Sequence, residues 1–245
     1  MRIAKIKVIN MNIIVTLAIF GVISYSGLIV ESKDLNQRHC VTLGNTTDYV
    51  GFYKCYAISN YLESLVPLPS NTSAISFTYS TIPVLRNRSF ARFGQSLHTL
   101  IFYYVELVEI EDEAFQGIPK IELLFLIGNN LEVIKGKWFD NLPELHALSL
   151  AENHIKQIQG DFFTRLNSQE FGLSIANNEL TCLPREEFRA KYDSFEEILL
   201  HGNHWTPECL AWFDTFWIPK APLYSTPTAE RGSPRSTDYP ENEIN

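Results

Sequence analysis

Apolar residues recur along most of this chain in a pattern with a period of 24 or 25 residues. In residues 145–163, LHALSLAENHIKQIQGDFF, leucines follow one another at steps of three and two, and Asn153 comes next. The segment 24 residues earlier, IELLFLIGNNLEVIKGKWF, matches it position by position, with Asn129 in place of Asn153. Six copies align in all. Such a period predicts a stack of similar units, because one unit alone cannot bury its apolar residues.

The copies resemble extracellular leucine-rich repeats of the animal type and cover residues 72–205. This resemblance implies an α/β-type, curved solenoid, with short parallel strands on the concave face and an irregular, 3₁₀ or helical convex side. The strict alternation in each LxLxx stretch independently favours a strand with one buried face. The asparagine that follows is expected to be buried and to satisfy backbone groups of adjacent repeats. Ser80 and Val105 replace it in the first two repeats, which we expect to be less regular.

The four cysteines lie in pairs at the two ends of the repeats. Three pairings can form, and a secretory context favours disulfides. Solenoids expose apolar core at each end and need caps there. We therefore favour Cys40 with Cys55, in an N-terminal cap over residues 27–71, and Cys182 with Cys209. The alternative for Cys182 is a free buried thiol.

The segment GNHWTPECLAWFDTFW resembles the flanking domain that closes extracellular leucine-rich repeats. It predicts a capping helix over residues 206–219, with Thr206 as N-cap, Pro207 in the first turn and Pro219 at its end. An apolar face at helical spacing is expected to cover the last repeat. This face consists of Leu210, Phe213 and Trp217.

Two terminal segments are predicted to lie outside the folded domain. Residues 1–26 indicate a secretory leader, with a basic start, an apolar run and a small-x-small cleavage site. An uncleaved anchor needs about 20 apolar residues, and the run at residues 12–23 is shorter. The protein is therefore expected to be secreted, without membrane insertion. Residues 220–245, rich in Pro, Ser and Thr, are predicted to be disordered. Three sequons predict N-glycosylation, at Asn45, Asn71 and Asn87.

The formal net charge of −8 disfavours nucleic acid and anionic membrane as partners. The sequence has no phosphate loop, nucleophile elbow or HExxH motif. The pair Glu111 and Glu113 is expected to be solvated, and His201 and His204 with Cys209 make a weak zinc candidate. We therefore expect no enzymatic activity, no cofactor and no metal.

A solenoid acts by presenting a surface. The third, fifth and seventh positions of each copy point into the concavity, where they predict a contiguous apolar patch. Such exposed patches usually bind partners, so a protein partner is expected there. There are two alternatives: the patch forms a homodimer contact, or a loop or the tail of the same chain covers it. The candidate residues are Ile101, Tyr103, Leu123, Phe125 and Ile127, with Leu199 in the last repeat.

Over the whole chain, the caps, the repeats, Cys182 in LTCLP and the GNHW turn resemble secreted leucine-rich immune proteins of insects, particularly mosquitoes. The sequence has no heptads, so the resemblance is to the short form without a coiled coil. It implies extracellular recognition, with a complement-like protein or a pathogen-surface ligand as partner. The alternatives are an adhesive or structural matrix protein and a soluble, receptor-like decoy.

Overall fold

A computed structural model describes residues 39–42, 51–159, 161–168 and 170–215. The predicted leader over residues 1–26, the predicted tail over residues 220–245 and the sequon at Asn45 lie outside this part of the chain.

Eight strands form a single sheet. The first two belong to the N-terminal cap, and each of the six repeats contributes one of the others. The first two strands pair antiparallel, and every later pair in the sheet is parallel. This confirms the predicted solenoid. In spatial order the strands are β1 (His39–Thr42), β2 (Phe52–Tyr56), β3 (Ala74–Thr78), β5 (Thr99–Tyr103), β7 (Leu123–Phe125), β9 (Ala147–Ser149), β11 (Phe171–Ser174) and β12 (Phe195–Leu199).

Short and varied elements connect these strands on the opposite side, as the resemblance implies. Two-residue strands pair in parallel between neighbouring repeats: β4 (Val84–Leu85) with β6 (Glu109–Ile110), and β8 (Val133–Ile134) with β10 (Gln157–Ile158). The α-helices within the described ranges are α1 (Tyr61–Leu65), α2 (Phe162–Arg165), α3 (Arg185–Lys191) and α4 (Pro207–Asp214). Turns of 3₁₀ helix lie at Ala91–Phe93, Gly136–Phe139 and Tyr192–Ser194.

The core lies between the sheet and these connections and is continuous from cap to cap. Phenylalanines stack from repeat to repeat inside it. The rings of Phe77 and Phe102 are 5.4 Å apart and nearly parallel, and those of Phe163 and Phe188 are 5.2 Å apart, edge to face. The apolar positions of the repeat are therefore the positions that fill the core.

The predicted asparagine ladder is present, with one amide in each regular repeat that is buried in three of them and half-buried at Asn203. The side chain of Asn153 donates to the carbonyls of Leu126, Leu150 and Ala151, and its Oδ1 accepts from the backbone N–H of Leu131 at 3.1 Å. Each such amide ties its own turn to the preceding repeat. Further asparagines of the ladder are Asn129, Asn178 and Asn203.

The ladder changes where the sequence departs from asparagine. The Ser80 hydroxyl accepts from the N–H of Ile58 at 3.1 Å and donates to the carbonyl of Thr78. Val105 has no polar side chain, and its N–H is instead satisfied by Asn129 of the next repeat. At this position, the first two repeats therefore contribute fewer side-chain hydrogen bonds than the later ones.

In the N-terminal cap, β1 and β2 pair antiparallel, and the predicted Cys40–Cys55 disulfide joins them. β2 also pairs in parallel with β3, so the parallel part of the sheet starts one strand before residue 72, where the predicted repeats begin. The guanidinium of Arg92 donates to the carbonyls of Leu65, Val66 and Leu68 at the end of α1. This side chain fixes the cap to the first repeat.

At the other end, the predicted Cys182–Cys209 disulfide joins the fifth repeat to α4. The Thr206 hydroxyl accepts from the N–H of Cys209 and caps the helix, which begins at Pro207. Phe213 is buried against Trp205, with ring centroids 5.4 Å apart. The helix ends at Asp214, earlier than the predicted residue 219. The predicted contact at Trp217 and the end signal at Pro219 lie outside the described residues.

Among the described residues, none of the helices has the length and hydrophobicity needed to cross a membrane.

Candidate functional site

Adjacent strands bring the predicted concave residues together. Ile101 pairs with Phe125 across β5 and β7. With Ile127 they form an apolar cluster separate from the main core, and Tyr103 and Leu123 pack against it. We call these five residues the concave patch.

Leu199, the sixth predicted residue, does not join the concave patch. It lies on β12, and two strands, β9 and β11, separate it from β7. The residues at the equivalent positions of those strands are Ser149 and Ser174. Small side chains therefore separate Leu199 from the patch.

The concave patch is less open than the sequence predicts. Ile101, Phe125 and Ile127 are 1, 0 and 4% exposed, whereas Tyr103 and Leu123 are half-buried. One reason is that neighbouring strands lie only about 4.8 Å apart, so large side chains in adjacent strands cover one another. The accessible part of the patch is its edge, at Tyr103 and Leu123.

One residue, one to three positions beyond the end of each parallel strand from β2 to β12, has a left-handed backbone. This conformation costs roughly 1–2 kcal/mol for a residue with a side chain and almost nothing for glycine. The column runs across the sheet at one edge of the concave face. Its members, with positive φ throughout, are Ala57, Tyr79, Tyr104, Gly128, Glu152, Asn177 and Gly202.

Two consecutive positions in this column hold tyrosines that face solvent. Tyr79 is 69% exposed and Tyr104 is 40% exposed. Their rings are stacked with centroids 6.1 Å apart. The ring of Tyr103 stands perpendicular to that of Tyr104 at 4.6 Å and edge-on to that of Tyr79 at 5.7 Å. These three residues form a tyrosine cluster next to the concave patch and share Tyr103 with it.

Gly128 lets Tyr104 reach the next member of the column. A Cβ at Gly128 would lie 2.6 Å from the Cζ atom of Tyr104, so the ring covers a position that only glycine leaves open. Beyond it, the Tyr104 hydroxyl donates a hydrogen bond to the carboxylate of Glu152. This bond, with burial and the carboxylate's charge, raises the pKa of Tyr104 to about 12. Burial first, and then Tyr79 and Glu152, raise the pKa of Tyr103.

Sequence reasoning included Tyr103 and missed Tyr79, Tyr104 and Glu152. Their position falls after the strand, where the template predicts only a turn. A signal was nevertheless present: Gly128 and Gly202 hold the same position in other repeats, so a bulky residue there is unusual.

The polar candidates outside this face form structural contacts. Glu111 accepts from Arg86 at 2.8 Å and from the backbone N–H of Asn87, and these bonds lower the pKa of its carboxyl. Asn87, a predicted glycosylation site, is exposed and accepts from the N–H of Glu113 at 2.8 Å. His154 contacts Glu179. In the described part of the chain no three His, Cys, Asp or Glu residues are grouped as a metal site would need.

Comparisons with known proteins agree with this architecture. The family model described as "Leucine rich repeat" matches residues 95–155. A structure of TLR13 in complex with ssRNA13 superposes on 68% of this chain with a TM-score of 0.59 and 25% identity. The leucine-rich repeat domain of APL1 superposes on 62% of the chain with a TM-score of 0.51 and 20% identity.

The chain spans a small part of these neighbours, 23% of the TLR13 chain and 41% of the APL1 chain. No curated protein matches it in sequence. Fold and site define a solenoid whose concave sheet has an apolar patch and an aromatic edge. The chain has the fold of a leucine-rich repeat solenoid with disulfide-bonded caps.

Proposed function

We propose that this protein is a secreted, non-enzymatic binding module that recognises an extracellular protein through the concave patch, in the service of innate immunity. The observation that carries the proposal is the second apolar cluster, Ile101, Phe125 and Ile127, which lies on the sheet's concave side and apart from the core. A leucine-rich repeat needs no apolar residues there for its own stacking, because the main core is already continuous.

The partner contacts the edge of the patch directly. Tyr103 and Leu123 are half-buried and pack against the three buried residues of the patch, which restrict their movement. Rigid aromatic and aliphatic anchors beside a flat strip of small residues are typical of protein interfaces. The strip is formed by Ala147, Ser149 and Ser174 on β9 and β11.

Secretion is supported by the two disulfides, which persist in oxidising compartments. The immune role rests on the resemblance of the caps and repeats to insect leucine-rich immune proteins, and the likeness to TLR13 favours the same setting. A complement-like protein or a pathogen-surface protein is the partner that this setting favours.

The single-stranded RNA of the TLR13 complex is not the ligand we propose here. Phosphate recognition depends on clustered Lys and Arg. This chain has a net charge of −8, and the exposed carboxylate of Glu152 lies beside the concave patch, bonded to Tyr104. Its charge repels a phosphate backbone.

Affinity capture from native extracellular fluid tests the proposal, with the secreted protein and its Leu123→Asp variant as baits. Leu62→Asp is the matched control, because Leu62 is an exposed leucine on α1 in the N-terminal cap. A protein retained by wild type and control and lost with Leu123→Asp supports the concave site.

A partner retained equally by all three baits contradicts the concave site. Sedimentation equilibrium on the same proteins measures their oligomeric state and so distinguishes a homodimer from binding of a different protein. A dimer that dissociates only in Leu123→Asp shows that the patch binds a second copy of the chain and excludes the heterologous partner there.

A further inference from the structure

The tyrosine cluster, with Glu152, is a second surface feature that stacking of the repeats does not require. Tyr79 and Tyr104 adopt left-handed backbones at φ 47° and 49°. This conformation costs about 1–2 kcal/mol per residue. The side chain of Tyr79 is 69% exposed, so its burial offsets little of that cost. The left-handed backbone recurs after every parallel strand, so the distinguishing feature of this edge is that two of those positions hold exposed aromatic side chains.

The rings present the electron-rich faces that attract cations. Tyr79 and Tyr104 lie nearly parallel, at an interplanar angle of 19°, and Tyr103 closes the corner between them. A guanidinium or ammonium over such a face is attracted by the ring quadrupole. The chain itself makes contacts of this kind, with the Arg185 guanidinium 5.7 Å from the ring of Trp212.

The charge around the rings has the sign that a cation needs. Glu152 is exposed and binds the Tyr104 hydroxyl through its Oε2 atom. A carboxylate offers two oxygens to a planar guanidinium. Glu106, exposed and also left-handed at φ 61°, follows Tyr104 by two residues. Aromatic faces and the carboxylate of Glu152 therefore meet at one edge of the sheet.

We infer that the tyrosine cluster and Glu152 form a binding site for an arginine side chain, supplied by a basic segment of the protein partner. Arginine fits better than lysine, because its planar guanidinium stacks on rings and pairs with a carboxylate at the same time. The inference rests on the proposed function, since it names the chemistry of that partner. According to this inference, the segment of the partner that contacts the site is basic and complements the net negative charge of this chain.

The test is calorimetric titration of the intact secreted protein with an acetylated, amidated tetra-arginine peptide. Tetra-citrulline is the matched probe, since it has the same shape without the charge. We expect the arginine peptide to bind at least about tenfold more tightly than the citrulline peptide, and its affinity to fall as salt rises.

Two variants locate the site. Tyr79→Leu removes the most exposed ring and places a side chain without a branch at Cβ at the left-handed position, and it is expected to weaken binding about fivefold. Glu152→Gln removes the carboxylate charge and is expected to weaken it by a similar factor. Tyr79→Phe keeps the ring and is expected to bind as wild type does.

Glu186→Gln is the control for net charge, because this exposed carboxylate lies on α3, on the opposite side of the chain from the sheet. It is expected to change the affinity by less than about twofold, since distant charges are screened. Equal binding of the two peptides overturns the inference. A loss with Glu186→Gln as large as with Glu152→Gln, or unchanged binding by both Tyr79→Leu and Glu152→Gln, does the same.

The two proposals fail in different ways. Peptide binding needs only the tyrosine cluster, whereas capture of the native partner is expected to need Leu123 as well. If Leu123→Asp loses the partner and Tyr79→Leu keeps it, the concave site stands and the arginine site is wrong. If the peptide binds as expected and no partner depends on Leu123, the proposed function is wrong and the cation site stands.

Discussion

The hydroxyl of Tyr104 donates a hydrogen bond to the carboxylate of Glu152, two repeats further along the chain, by passing over Gly128. Sequence distance between them is 48 residues. The bond joins two members of the left-handed column, Tyr104 and Glu152, across the member between them, Gly128. It also gives the tyrosine cluster a spectroscopic signature, because it changes how one phenol titrates.

The first prediction concerns the pKa of Tyr104, raised from 10.0 to about 12 mainly by the bond to Glu152. In Glu152→Gln we expect this pKa to fall towards 10, because the amide has no charge to oppose a phenolate. Spectrophotometric titration of the phenolate absorbance measures it. Glu186→Gln is the control. A Tyr104 pKa that stays near 12 in Glu152→Gln contradicts the bond.

The same shift sets a pH dependence of stability. The folded-state pKa of Tyr104 lies above its ordinary value, so the folded protein holds the phenol proton more tightly than the unfolded chain does. Its contribution is therefore complete below pH 10 and is lost as the pH rises towards 12. Tyr104 is 40% exposed, so solvent screens the bond and the effect on the free energy of unfolding is small.

The second prediction uses Gly128→Ala, with Gly51→Ala as its matched control. Both glycines have a positive φ, +67° and +76°, so alanine is strained at each and should cost about 1 kcal/mol in urea unfolding. Only at Gly128 does the new Cβ meet the ring of Tyr104. At Gly51 the nearest atom is at 3.4 Å, an ordinary contact.

The ring of Tyr104 is expected to swing outwards in Gly128→Ala and to lose Glu152. The pKa of Tyr104 should then fall in Gly128→Ala and stay near 12 in Gly51→Ala. Equal pKa values in the two variants would show that Gly128 is kept for its backbone alone.

How far the sequence predicts this molecule depends on which property each residue controls. The ladder at Asn129 and Asn153 was predictable, because a polar residue at a fixed place in an apolar repeat must be buried and paired. The direction of Ile101 and Phe125 was predictable for a similar reason, since alternation assigns each strand residue to a face. Burial of those two side chains was not, because alternation says nothing about what lies over a face.

The tyrosine cluster was not predicted because its geometry depends on backbone angles. The template treats the residue after each strand as a turn and cannot show that Tyr79 and Tyr104 stack there. The reach of Tyr104 to Glu152 depends on the missing side chain of Gly128, a relation between three repeats that no single repeat contains.

The third prediction tests the asparagine ladder with Asn153→Ala. The buried amide serves the carbonyls of Leu126, Leu150 and Ala151 and one N–H, and its loss leaves buried backbone groups without partners. Such groups cost about 1–3 kcal/mol each when only partly re-satisfied, so we expect a loss of about 3 kcal/mol in urea unfolding.

Asn130→Ala is the control for the third prediction, because Asn130 is an exposed asparagine next to the same ladder. It should change the free energy of unfolding by less than about 0.5 kcal/mol. Similar losses in Asn130→Ala and Asn153→Ala would show that the ladder does not hold the repeats together.

The fourth prediction compares the two disulfides. Replacing both Cys182 and Cys209 by alanine should cost about 2–4 kcal/mol, and so should replacing Cys40 and Cys55. The two pairs differ in where the molecule loosens. Each repeat contacts only its neighbours, so opening at one end of a solenoid spreads inward by a few repeats and leaves the far end closed.

Hydrogen exchange followed by mass spectrometry shows the position of that loosening. In the Cys182→Ala, Cys209→Ala protein we expect faster exchange in β12 and α4 and little change in β2 and β3. The Cys40→Ala, Cys55→Ala protein should show the reverse. Uniformly faster exchange in both proteins would mean that the solenoid opens as one cooperative unit, and that the disulfides stabilise the whole sheet rather than its ends.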